Sequence, residues 1–120
     1  MSLLLFLLPV TAACTPDPAL ADAGPQRVRD YIAALNARDA AATGRFLKSG
    51  AVYSSPDVAA APLDEVLTRL LEMRDAEPMQ VIEATPRGGG VYLRTFTRSN
   101  ATGRALVELD RGCITRFTLE

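Results

Sequence analysis

The chain has 120 residues, a formal net charge of −1 from 13 basic and 14 acidic side chains, and no histidine. That length fits one domain with one hydrophobic core, and the near-balanced charge argues against a nucleic-acid partner, which would need a concentrated basic patch. Without histidine the chain lacks the commonest acid/base near neutral pH and the commonest metal ligand.

The two cysteines, Cys14 and Cys113, stand far apart with no C-x-x-C spacing, which argues against a zinc site. No metal and no cofactor is expected. The apolar run Leu3 to Val10 is too short to cross a bilayer core of about 30 Å. It matches the apolar region of an export signal. Thr11-Ala12-Ala13-Cys14 resembles a bacterial lipobox, in which cleavage falls before a lipidated cysteine. Ala21-Asp22-Ala23 is an alternative A-x-A cleavage site. The expectation is a signal peptide over 1–13, a lipid on Cys14, a flexible Pro-containing tether over 14–24, and a domain over 25–120. The protein would then sit in the bacterial cell envelope or periplasm, touching the membrane only through the lipid.

Within the domain, Val28, Tyr31, Ile32 and Leu35 fall on one stripe and predict a helix from Pro25 to Arg38. Asp39 can cap a second helix, Ala40 to Lys48, which Gly50 would stop. A short strand, Ala51 to Ser54, ends at Pro56. Leu63, Val66, Leu67, Leu70 and Leu71 predict a third helix from Pro62 to Arg74. Strands follow at Met79–Thr85, Val91–Arg98, Arg104–Leu109 and Cys113–Leu119, joined by short turns as an antiparallel meander. Three helices followed by a sheet is an α+β order.

This order, together with Tyr31-Ile32-Ala33-Ala34-Leu35-Asn36-Ala37-Arg38-Asp39 and Asp110-Arg111-Gly112-Cys113-Ile114, resembles the nuclear transport factor two-like superfamily and its SnoaL-like and ketosteroid-isomerase-like members. The resemblance implies a cone-shaped cystatin-like fold, three helices on a curved antiparallel sheet. It also implies where an isomerase would keep its groups. The tyrosine donor falls on Tyr31, the carboxylate base on Ser55 before Pro56, and the second acid near Ala105. A lone serine cannot take a proton from carbon at neutral pH, so two of the three positions read as empty. Asp57 is the nearest substitute base, but Pro56-Asp57 favours a loop aspartate by turn chemistry, and that reading is preferred.

The pocket candidates are therefore Tyr31, Tyr53, Ser55, Asp57, Arg94, Phe96 and Phe117. Alternation in Val91 to Arg98 permits two phases. Burying an unpaired arginine favours Val91, Leu93, Thr95 and Thr97 inside. The resemblance favours Arg94 and Phe96 inside, and this second phase is adopted. The reading is a non-catalytic exported domain that binds a small apolar ligand or a protein partner. The alternatives are an isomerase, cyclase or dehydratase for a hydrophobic substrate, and a structural module that dimerises through the open sheet face.

Overall fold

The structure is a computed structural model that describes residues 8–120. Most of the expected apolar signal region, residues 3–7, lies outside the described residues. Helix α1 (Gly24–Asn36) carries Pro25 in its first turn and buries Val28, Tyr31, Ile32, Ala34 and Leu35. Helix α2 (Ala40–Gly44) starts where the Asp39 carboxylate accepts from the Ala42 N–H at 3.0 Å. It is shorter than expected. Leu47 does not continue it but opens strand β1 (Leu47–Ser54), which pairs through Gly50 at φ 82° across a register shift. Two residues, Ala61–Pro62, form β2, which the sequence reading did not include.

Helix α3 (Leu63–Glu72) has Asp64 and Glu65 in its first turn, where the helix dipole favours carboxylates. It buries Leu63, Leu67 and Leu71. The strands β3 (Gln80–Arg87), β4 (Gly90–Phe96), β5 (Thr102–Asp110) and β6 (Cys113–Leu119) form the expected meander. The sheet order is β2-β1-β6-β5-β4-β3, antiparallel throughout except for the parallel pairing of β1 with β6. The helices cover the concave face, and Tyr31, Leu47, Leu63, Val91, Val107 and Ile114 are the bulkiest residues sealed between the layers.

The segment from Pro9 to Leu20 is a strap against the domain and not the expected tether. Val10 is only 3% exposed and joins the core, and its N–H donates to the Thr68 hydroxyl at 2.9 Å. The N–H groups of Ala13 and Cys14 donate to the carbonyls of Gly44 and Leu47. Cys14 and Cys113 form a disulfide, with Cα atoms 5.7 Å apart. The bridge and the expected lipidation compete for Cys14, because a sulfur bonded to Cys113 cannot also carry a thioether lipid. Cys113 is fully buried as half of that bridge.

Two glycines make room for the strap. A Cβ on Gly44 would lie 2.0 Å from the Thr11 carbonyl oxygen, and one on Gly112 would lie 2.6 Å from the Leu20 Cβ. Arg27 locks the arrangement from α1. Its Nε donates to the Gly112 carbonyl at 2.9 Å, and its guanidinium lies 4.4 Å from the centre of the Phe46 ring. Among the described residues no helix is long and apolar enough to cross a membrane.

Candidate functional site

The concave face of the sheet holds a cavity of about 280 Å3 between α1 and strands β4, β5 and β6. Ile32 closes it from α1 and Met79 from the residue before β3. The sheet contributes Leu93 and Thr95 from β4, Ala105 from β5, and Phe117 and Leu119 from β6. These strand positions share a face because Leu93 pairs with Ala105, Ala105 with Leu119, and Val107 with Phe117. No carboxylate lines the cavity. Ala105, where the resemblance implied a second acid, is an apolar wall residue 2% exposed.

The expected pocket residues divide into three groups. Phe117 lines the cavity. Tyr53 stacks on it with ring centres 6.2 Å apart, and Tyr31 lies on its other flank at 6.3 Å. Tyr31 also meets Phe46 edge-on at 6.4 Å. It is 1% exposed and sits behind Phe117, outside the cavity lining. Burial alone pushes its phenol well above the usual tyrosine range, so it stays neutral throughout ordinary pH. Ser55 and Asp57 sit apart from the cavity in a tight turn. The Ser55 hydroxyl accepts from the N–H groups of Asp57 and Val58, at 3.3 and 3.1 Å. That serine holds a loop, and the Asp57 side chain is exposed.

Arg94 and Phe96 belong to the third group, and here the adopted phase of β4 is corrected. Val91 and Leu93 are each 2% exposed and Thr95 is 8% exposed, so they face the helices. Tyr92, Arg94 and Phe96 stand on the convex face. Arg94 lies 3.6 Å from Glu83 there, half in solvent. Moving Arg94 inward would strip its hydration with no carboxylate to meet it, a cost the outward phase avoids. Thr95, Leu93, Leu119, Met79 and Ile32 are among the lining residues the sequence reading missed. The alternation of β4, weighed by desolvation cost alone, was the signal that could have found the first two.

The motif in α1 has a structural explanation at each of its polar positions. The Asn36 side chain donates to the Met79 carbonyl at 2.7 Å and accepts from the Met79 N–H at 2.8 Å, pinning the chain as it enters β3. Arg38, at φ 56°, donates to the Leu71 and Met73 carbonyls and closes the end of α3. Asp39 caps α2. Among the described residues no cluster of His, Cys, Asp or Glu has the arrangement to hold a metal ion.

No family model and no curated protein matches the sequence. Solved structures do. A SnoaL-like protein of unknown function from Burkholderia thailandensis superposes with a TM-score of 0.69 at 17% identity, over 88% of this chain and 98% of that one. An uncharacterized cystatin-fold protein from Novosphingobium aromaticivorans gives 0.69 at 12% identity, over 81% and 97%. A nuclear transport factor two-like protein of unknown function from Cytophaga hutchinsonii gives 0.64 at 17% identity, over 88% and 90%. Identities this low speak to architecture and not to activity. The helical layer, the curved sheet and these likenesses together show that the chain has the cone-shaped α+β fold of SnoaL-like and nuclear transport factor two-like proteins.

Proposed function

We propose that this chain is an exported, non-catalytic cone domain that binds a small apolar molecule in the cavity between α1 and strands β4 to β6. The cavity lining carries the reading. Seven apolar side chains surround the space, and among the described residues no carboxylate or histidine lines it to move a proton. Proton transfer from carbon needs a base within hydrogen-bond reach of the substrate. Ser55 and Asp57 are committed to or exposed on a distant turn, so neither supplies one. Apolar walls with few polar groups suit ligand binding. The Cys14–Cys113 bridge supports export, since such bonds persist in oxidising compartments.

A second reading concerns the convex face. Tyr92, Phe96 and Leu106 point outward there beside the Arg94–Glu83 pair, which supports self-association through the sheet. Sedimentation equilibrium tests it, with a monomer at all concentrations as the adverse result.

The binding proposal is tested by titrating purified oxidised protein with decalin and following backbone amide shifts. Shifts should cluster on β4, β5 and β6. Ala105→Leu should abolish them by filling the space, while thermal unfolding stays cooperative. Unchanged binding by Ala105→Leu would place the ligand elsewhere. Turnover of a β,γ-unsaturated ketosteroid by the purified protein would overturn the non-catalytic half of the reading.

A further inference from the structure

Apart from the exposed Arg104 at its edge, the polar side chains of the cavity are the hydroxyls of Thr95 in β4, Thr97 just after it and Thr102 at the start of β5. Thr97 and Thr102 belong to the rim, and the Thr97 hydroxyl is already 3.2 Å from that of Ser99. Thr95 differs. It lies mid-strand in the cavity wall, is 8% exposed, and takes part in no side-chain hydrogen bond among the described residues. Among those residues no sealed polar side-chain atom lacks a partner. The Thr95 hydroxyl therefore keeps its small accessible surface, and the space beside it is the cavity. An apolar ligand that covers this hydroxyl would leave it without a partner, a cost that a ligand oxygen avoids by accepting from it or donating to it.

Size is the other constraint. A cavity of about 280 Å3 lies just below the usual range for ligand pockets, roughly 300–1,000 Å3. At about 30 Å3 per non-hydrogen atom, the share of a water molecule in the liquid, it takes roughly nine or ten such atoms. A four-ring steroid skeleton has about twice that number. Met79 cannot easily retreat to enlarge the space, because Asn36 holds its backbone at both the N–H and the carbonyl. The lining includes Arg104, but that residue is exposed and pairs with Arg94, which stands on the convex face, and among the described residues no lysine, histidine or carboxylate lines the walls to neutralise a charged ligand.

We infer that Thr95 is the specificity-determining residue of the cavity, and that the site takes a compact, neutral, mono-oxygenated hydrocarbon, a cyclic ketone or alcohol of about ten non-hydrogen atoms. The inference rests on the proposal that this cavity binds an apolar molecule. It adds the size, the neutrality and the single hydrogen bond. Thr95 donates to a ketone and either donates to or accepts from an alcohol.

The test uses 2-decalone, decalin, decahydronaphthalene-2-carboxylate and androst-4-ene-3,17-dione as probes on the oxidised protein, read by calorimetry and amide shifts. 2-Decalone should bind about fivefold more tightly than decalin, the yield of one neutral hydrogen bond. Thr95→Val, which keeps the shape and removes the hydroxyl, should erase that difference. Thr95→Ser should restore it. The carboxylate and the steroid should bind at least tenfold more weakly than 2-decalone. If decalin binds but 2-decalone gains nothing, or gains equally in Thr95→Val, the inference fails and the apolar site stands. Equal binding of the steroid overturns the size argument. If no probe binds, the binding proposal falls and takes the inference with it.

Discussion

Breaking the Cys14–Cys113 bridge should be the most damaging single perturbation away from the core. The bridge spans a sequence separation of 99 residues. A loop of that length loses about 4.7 kcal/mol of unfolded-state entropy on closure in the chain-entropy model, and measured losses for native bridges run about 2–5 kcal/mol. With an unfolding entropy of roughly 2.1 cal/mol/K per residue, such a loss lowers Tm by about 10–20 °C. The strap adds a local term, because Val10 is buried and its N–H is bonded to Thr68. Freed from its anchor, the strap must hold itself through those contacts alone. The measurement is thermal unfolding by circular dichroism of the oxidised protein, the reduced protein and Cys14→Ala. Cys14→Ala is preferred to a change at Cys113, whose complete burial would add a cavity cost. Mass spectrometry of the oxidised protein should find it two hydrogens lighter than the reduced form. A Tm that does not change on reduction would refute the reasoning. So would a lipid thioether on Cys14, since that sulfur would then be unavailable to Cys113.

Three further outcomes follow from the same geometry. Gly44→Ala should cost about 1–3 kcal/mol by forcing a Cβ against the Thr11 carbonyl, and a double-mutant cycle with Cys14→Ala should show strong coupling in urea unfolding, whereas additivity would mean the strap does not lie over Gly44. Asn36→Ala should destabilise by about 1–3 kcal/mol, because Met79 loses both partners; an unchanged urea midpoint would contradict that. Hydrogen bonds from Arg111 and Lys48, both at 2.9 Å, hold the Asp110 carboxyl down at about 2, below its usual value. A depressed folded-state pKa gives stability that is present above the unfolded value, near 4, and lost as pH falls toward 2. Tm should therefore drop across that window and drop less in Asp110→Asn, and identical pH profiles for the two proteins would remove Asp110 as a source of acid sensitivity.

The helices and the meander were legible because their signals are local. The stripe of Val28, Tyr31, Ile32 and Leu35 needs only a period of 3.6 residues, and all four are buried in α1. Residues 45–50 were misread because composition there is ambiguous. Phe46 and Leu47 suit a helix face or a strand equally well, and what decides is a long-range partner, since Leu47 pairs with Ile114 of β6. The disulfide was illegible for the same reason. Nothing local to Cys14 or Cys113 records that the strap turns back across Gly44 and Gly112. The glycines themselves were a signal in hindsight, but a glycine does not say which distant segment needs its missing Cβ.

The phase of β4 shows where physical chemistry and resemblance pulled apart. Desolvation cost pointed Arg94 outward, and resemblance to isomerases pointed it inward. The structure sets Arg94 beside Glu83 on the convex face and leaves Thr95 as the polar member of the wall. The same divergence runs through the whole site. The Tyr31, Asn36 and Asp39 positions that carry the resemblance each have a packing, clamping or capping duty that the fold requires whatever the cavity contains. Such residues persist when the chemistry changes, because losing any of them costs folding stability before it costs activity. The wall residues have no such duty to the backbone. Ala105 and Thr95 are constrained only by volume and by partners for buried polar groups. Function in a cone of this kind is therefore read from the strand positions that face the cavity, and in this chain those positions offer apolar surface and one buried hydroxyl.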